Sequence, residues 1–106
     1  MKSESVASIY QRFEATQKGE NQDQWIDVRQ PEEWEEGVIP GAKKIMLSEL
    51  EGHLDSLDKD AGYVMVCRSG GRSGRASQLM ESHGFKDVTN FDGGMLAWYD
   101  AGHPTT

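Results

Sequence analysis

Cysteine is almost absent from this sequence: Cys67 is the only one among 106 residues. A single cysteine excludes an intramolecular disulfide framework, and the chain has no C-x-x-C pair and no Cys/His spacing typical of zinc sites. The sequence therefore predicts no metal site, and none of its motifs requires a cofactor. An unpaired thiol favours a reducing compartment, so we expect a cytoplasmic location.

Long apolar runs and an excess of positive charge are also absent. The chain has no apolar run of about 18 residues, and its N-terminus lacks the apolar core of a signal peptide, so no membrane association is expected. Lys and Arg number 11 against 18 Asp and Glu, which gives a formal net charge of −7. Nucleic acid is not an expected partner, because binding phosphate backbones needs a basic face.

Segments of helix and strand character alternate along the chain. Strands are predicted at residues 25–28, 44–46, 63–66 and 88–91, and helices from about residues 3–5 to 18–19, then at 31–36, after Ser48, at 75–80 and at 95–99. Ser48 and Glu51 have the spacing of a capping box, and the tail after Gly102 is expected to fray.

This alternation predicts one α/β domain spanning residues 1–106. A small parallel sheet of about four to five strands would be covered by helices on both faces. Ligands of such sheets bind beyond the carboxyl ends of the strands, where Cys67 is expected to lie.

The segment after the predicted strand at residues 63–66 differs from the rest of the chain. It begins at Cys67 and continues through three glycines and three arginines in eight residues, and no Asp or Glu occurs at residues 61–80. Glycines allow a short loop to curl until its N–H groups point inward, and the following helix adds free N–H groups of its own. Such surroundings lower the pKa of a thiol and favour the thiolate.

Cys67 has two interpretations. A free cysteine at the end of a strand is usually an inert buried thiol. A purely structural turn has no need of so many arginines and glycines, however, and this composition favours a reactive cysteine. Cys67 is therefore a candidate nucleophile.

Three motifs resemble those of one protein family. Residues 67–72, CRSGGR, resemble the active-site loop of single-domain rhodaneses, which opens with a persulfide-forming Cys and commonly closes with Arg. Residues 26–42, IDVRQPEEWEEGVIPGA, and residues 90–98, NFDGGMLAW, are similar to the first and last signatures of that family. The resemblance covers most of the chain and implies a rhodanese-like three-layer fold.

The resemblance also implies an activity. A thiosulfate sulfurtransferase would move sulfur from thiosulfate or a similar small anionic donor to cyanide or a thiol acceptor, through a persulfide on Cys67. A sulfur-acceptor protein is a further expected partner, and a monomer is expected. The donor and the sulfur would be held by arginine side chains and loop N–H groups, and Arg72 is the first choice among the arginines. The expected binding residues are Arg68, Ser69, Gly70, Gly71, Arg72, Ser73 and Arg75.

The outer motifs contribute three supporting residues. Asp27 and Arg29 are expected at a strand end on the rim of the pocket, where structural support is favoured over direct catalysis and Asp27 would bind loop N–H groups or an arginine. Trp98 is expected to pack in the core, with some contact to the pocket. The chain departs from the family at Val38, where many members carry His, so any hydrogen bond of that His is missing.

Two alternatives stay open. In cysteine phosphatases and arsenate reductases five residues separate Cys from Arg, whereas four residues separate Cys67 from Arg72 here. A separation of five would place the arginine at position 73, which is Ser73. The shorter loop should be too tight for phosphate while fitting one sulfur atom. The second alternative is a module that relays sulfur for a partner protein, or that only binds. A sulfur relay shares the chemistry of a thiosulfate enzyme up to the persulfide.

Overall fold

The computed structural model describes all residues, Met1–Thr106, and places five strands in one parallel sheet. The strands are ordered β1-β5-β4-β2-β3, so β4 lies at the centre. The predicted α/β class with a small parallel sheet is confirmed. The strands are β1 Lys2–Glu4, β2 Gln24–Asp27, β3 Lys43–Lys44, β4 Gly62–Val66 and β5 Asp87–Phe91.

Helices cover both faces of the sheet, as predicted. They are α1 Val6–Gln17, α2 Pro31–Trp34, α3 Leu47–His53 with a 3₁₀ turn at Leu54–Ser56, α4 Gly71–Ser82 and α5 Gly94–Asp100. Helices α1 and α5 share one face, and α3 and α4 share the other. None of these helices combines the length and apolarity needed to cross a membrane.

The side chains of β4 divide between the two halves of the core. Val64 and Val66 join the cluster beneath α1 and α5, whereas Met65 and Cys67 join the cluster beneath α3 and α4. This division follows from the alternation of side chains along a strand, and it explains why a central parallel strand is apolar throughout. The thiol of Cys67 consequently belongs to the α3/α4 face.

Strand β1 was not predicted, because the sequence was expected to begin a helix near residues 3–5. Residues Lys2–Glu4 are polar and mostly exposed, yet they pair in parallel with β5 at the edge of the sheet. The N–H of Asp92 also donates to the carbonyl of Glu4 at 2.9 Å. This pairing uses backbone groups and a distant partner, so the local side-chain pattern carries no signal for it.

Two helix starts also differ from the predictions. The capping box predicted at Ser48 is wrong, because α3 begins two residues earlier, after Met46, with no side-chain cap. A capping box is present instead at the start of α2, between Gln30 and Glu33. Helix α4 begins at Gly71 instead of residue 75, so the last residues of the glycine-rich segment are already helical.

The C-terminal tail is held in place, and the prediction that it frays is wrong. Val38 and Thr106 exchange two backbone hydrogen bonds, at 3.1 and 2.9 Å. The indole N–H of Trp98 donates to the carbonyl of Pro104 at 2.8 Å, and the ring of His103 stacks on Tyr10 with centroids 3.7 Å apart. Partners from α1, from α5 and from the segment around Val38 therefore order residues that carry no secondary structure of their own.

Candidate active site

Cys67 lies immediately beyond the carboxyl end of β4, as predicted. Its neighbour β2 runs alongside to this point, where the N–H of Val28 donates to the carbonyl of Val66 at 2.9 Å. The residue is only 1% exposed. The thiol is therefore a buried group at the edge of the sheet where parallel α/β folds bind their ligands.

The loop after Cys67 directs hydrogen-bond donors at the sulfur. The N–H of Gly70 lies 3.1 Å from Sγ and the hydroxyl of Ser73 lies 3.3 Å from it. Gly70 adopts a φ of +105°, a left-handed conformation that glycine takes without strain. The sulfur is thus enclosed, but the neighbouring amides face it instead of turning away.

These contacts favour the thiolate. Burial raises the pKa of the Cys67 thiol, but hydrogen bonds from the Ser73 hydroxyl and from the N–H groups of Ser73, Gly70 and Ser69 outweigh burial. The pKa therefore lies below its usual range.

Helix α5 binds the carbonyl groups of the same loop. The N–H groups of Met95 and Leu96 donate to the carbonyls of Cys67 and Arg68, at 2.8 and 3.0 Å. This approach requires Gly94, because a Cβ there would lie 2.5 Å from the carbonyl oxygen of Cys67 and 2.6 Å from the carbonyl carbon of Arg68. Helix α5 therefore binds the loop through the carbonyl groups of Cys67 and Arg68.

Asn90 is a site residue that the sequence analysis missed. It lies near the end of β5 and is 6% exposed. Its Oδ1 accepts a hydrogen bond from the Ser73 hydroxyl, and its Nδ2 donates to the carbonyl of Gly70 at 3.3 Å. A polar residue near the carboxyl end of a predicted strand was the available signal.

The three arginines occupy different surroundings. Arg68 and Arg75 are exposed, and their side chains make no hydrogen bond or ion pair. Arg72 instead forms a two-pronged ion pair with Glu33 of α2, with N–O distances of 2.6 and 2.8 Å. The hydrogen bonds of this pair lower the pKa of Glu33 to about 2 and raise the pKa of Arg72. The negative charge of Cys67 also raises the pKa of Arg72.

Comparison with known proteins identifies the family. Residues 10–101 match the family described as "Rhodanese-like domain".

The chain belongs to the rhodanese-like domain family.

Sequence relatives cover nearly all of this rhodanese-like domain. It is 40% identical over 94 residues to "Putative sulfurtransferase YtwF" of Bacillus subtilis, covering 89% of this chain and 86% of that protein. It is 34% identical over 96 residues to "Thiosulfate sulfurtransferase GlpE" of Pseudomonas aeruginosa, covering 88% and 87%.

A solved structure agrees with the fold. The crystal structure of a rhodanese-like domain protein from Staphylococcus aureus, 33% identical in sequence, covers 100% of this chain and 99% of its own, with a TM-score of 0.84. The predicted rhodanese-like fold is therefore confirmed.

Asp27 and Arg29 of the rhodanese domain form a buried ion pair, with Nη2 of the arginine 2.8 Å from Oδ2 of the aspartate. The guanidinium also donates to the carbonyl of Gly37 at 3.0 Å and to the hydroxyl of Tyr99 at 3.2 Å. Burial lowers the pKa of Arg29, but its bonds to Asp27 and Tyr99 outweigh this and raise it. Asp27 and Arg29 are 0 and 1% exposed and lie in the interior. The expectation that they lie on a pocket rim is therefore wrong.

Trp98 lies on the opposite face of the sheet from the Cys67 thiol. Its ring packs edge-on against Tyr10, Phe13 and Phe91, and it is fully buried. The expected packing is present, whereas none of its ring contacts or hydrogen bonds reaches the Cys67 loop.

The rhodanese domain has one cavity, of about 300 Å³, away from Cys67. It is lined in part by Gln24 and Lys43, the first residues of β2 and β3, and therefore opens near the amino-terminal edge of the sheet. No group of three or more His, Cys, Asp or Glu side chains is placed to hold a metal ion.

Proposed function

We propose that this rhodanese domain is a sulfurtransferase that carries sulfane sulfur as a persulfide on Cys67. The donor is thiosulfate or a similar compound, and the acceptor is cyanide or a thiol. The observation that carries the proposal is the Cys67 sulfur 3.1 Å from the N–H of Gly70, at the start of α4. The sulfurtransferase names of the relatives support it.

In the first half-reaction the Cys67 thiolate attacks the outer sulfur of the donor. A new sulfur–sulfur bond forms while the bond between the outer sulfur and the sulfonate group breaks, and sulfite leaves with the bonding electron pair. No general base is required, because the thiolate is already favoured. The N–H groups of Ser69, Gly70 and Ser73 would stabilise the negative charge on the sulfur throughout.

In the second half-reaction the acceptor attacks the terminal sulfur of the persulfide. Cyanide leaves as thiocyanate, or a thiolate leaves as a new persulfide, and the electron pair of the broken bond returns to Cys67 as a thiolate. The sulfur atom moves at a constant oxidation level, so no external oxidant or reductant takes part. A reducing compartment such as the cytoplasm, and action as a monomer, complete the proposal.

The surroundings of Arg72 favour sulfur transfer over phosphoryl transfer. A phosphatase loop needs its arginine to bind the oxyanion, whereas both terminal nitrogens of Arg72 donate to Glu33. A partner protein that donates or receives sulfur fits the same half-reactions. The exposed Arg68 and Arg75 would then lie close to the docked partner.

The decisive experiment is an intact mass measurement after incubation with thiosulfate. We expect a gain of one sulfur atom that is lost when cyanide is added. The Cys67→Ser variant should show the wild-type circular dichroism spectrum but gain no sulfur. Turnover of a phosphate ester without sulfur uptake by the wild type would contradict the proposal.

A further inference from the structure

Arg72 and Glu33 hold each other in a fork geometry beside the candidate site. Nη1 of the arginine donates to Oε1 of the carboxylate at 2.6 Å, and Nη2 donates to Oε2 at 2.8 Å. The side chains are 27 and 20% exposed. Paired, charge-assisted bonds of this kind are among the stronger polar contacts in proteins.

The carboxylate of Glu33 is also fixed from its own helix. Its Oε1 accepts the backbone N–H of Gln30 at 3.1 Å, and the Gln30 side chain accepts the N–H of Glu33 in return. Turning Glu33 away from Arg72 would break its bond to Gln30 as well as the ion pair. The carboxylate is therefore held from two sides.

The ion pair changes the charge that a donor meets. No acid occurs at residues 61–80, so Glu33 is an acid that the fold brings from α2 to the glycine-rich loop. Glu33 neutralises the charge of Arg72, the one arginine of this loop that has an ion-pair partner. Arg68 and Arg75 remain cationic, but they are exposed and screened by water and salt.

We propose that Glu33 is a specificity residue: by holding Arg72 it weakens binding of dianionic donors such as thiosulfate and favours sulfane-sulfur donors with one negative charge or none. Thiol persulfides belong to this favoured class. The Cys67 thiolate takes the terminal sulfur of R–S–SH, giving the Cys67 persulfide and releasing R–S⁻. This inference rests on the proposed function and narrows its donor.

The test compares two donors of similar size and different charge. Thiosulfate is a dianion, whereas methanethiosulfonate presents the same outer sulfur on a monoanion. Glu33→Gln removes the charge and keeps an oxygen that accepts the N–H of Gln30. Glu32→Gln is the matched control, because Glu32 is exposed on the same helix and pairs with nothing.

We expect Glu33→Gln to raise the ratio of kcat/KM for thiosulfate to that for methanethiosulfonate about tenfold, mainly through a lower KM for thiosulfate, because Coulomb energy scales with donor charge. The ratio in Glu32→Gln should equal that of the wild type. An unchanged ratio in an active Glu33→Gln enzyme would overturn the role of Glu33.

A second measurement does not depend on turnover. Iodoacetate and iodoacetamide alkylate the single cysteine by the same reaction but differ in charge. Their rate ratio should rise several-fold in Glu33→Gln and stay constant in Glu32→Gln. Equal ratios in Glu33→Gln and the wild type would overturn the inference, whereas a wild type that gains sulfur from neither donor would overturn the proposed function.

The double variant Glu33→Gln/Arg72→Gln removes both charges at once. If the two residues neutralise each other in the wild type, its donor ratio should lie within about twofold of the wild-type value. A clear fall in the ratio would show that Arg72 binds dianions despite Glu33, and the inference would fail.

Discussion

Replacing Ser73 by alanine is expected to slow the alkylation of Cys67 by iodoacetamide. Burial raises the pKa of the thiol, and the Ser73 hydroxyl, 3.3 Å from Sγ, is the leading contribution that lowers it. Without this donor the thiolate fraction falls at any pH below the pKa. Because the pKa of the thiol is depressed in the folded protein, its ionisation contributes to folding stability. This contribution is greatest at high pH and is lost as the pH falls through the folded pKa.

The size of the effect follows from the geometry of the hydroxyl. A hydrogen bond to a charged acceptor contributes about 1.5–3 kcal/mol. The Ser73 hydroxyl has one hydrogen, which Asn90 Oδ1 also attracts, so we take the lower end of this range. About 1.4 kcal/mol corresponds to tenfold, so the thiolate fraction below the pKa should fall about tenfold. Because a thiolate of higher pKa is the stronger nucleophile, we expect the alkylation rate there to fall about threefold.

The assay is the alkylation rate followed by mass spectrometry from about pH 5 to about pH 9. The Ser73→Ala profile should be displaced towards higher pH and should reach or exceed the wild-type rate at its upper end. Ser77→Ala is the control, because its buried hydroxyl donates to the carbonyl of Ser73 at 2.8 Å and does not reach the sulfur. Superimposable wild-type and Ser73→Ala profiles, or equal slowing in Ser77→Ala, would refute the reasoning.

Two further substitutions test the scaffold by urea unfolding. Gly94→Ala should cost at least about 2 kcal/mol, because it adds a Cβ against the Cys67 carbonyl at a φ of +54°. Gly52→Ala, where the space is open, should not destabilise, and equal stability of the two variants would contradict this. Arg29→Ala should cost about 3–5 kcal/mol by leaving the Asp27 charge buried and unpaired, and a loss under about 1 kcal/mol would show that water reaches it.

The position of Cys67 could be predicted because its signals are local. An apolar run at residues 63–66 marks a buried strand, and glycines followed by helical spacing mark a turn into a helix. The direction of the loop amides follows from those glycines. The end of β4 is accordingly found where the sequence indicates it, and the Gly70 N–H and the Ser73 hydroxyl face the sulfur there.

The contacts that Asn90 and Glu33 make with the loop could not be predicted from the sequence, because tertiary structure brings both residues there. Asn90 reaches Gly70 and Ser73 because β5 pairs with β4, where Met65 lies beside Asn90 in register. Glu33 reaches the loop through the placement of α2, which has no signal in the spacing of the two segments. Strand β1 and the ordered tail were not predicted for the same reason, since both depend on backbone partners from distant segments.

The contacts between α5 and the loop have a consequence for protein synthesis. Cys67 leaves the ribosome well before Asn90, Gly94 and Met95, which bind or contact the loop in the finished fold. The contacts that hold the Cys67 loop from the α5 side therefore form only after almost the whole chain has been synthesised.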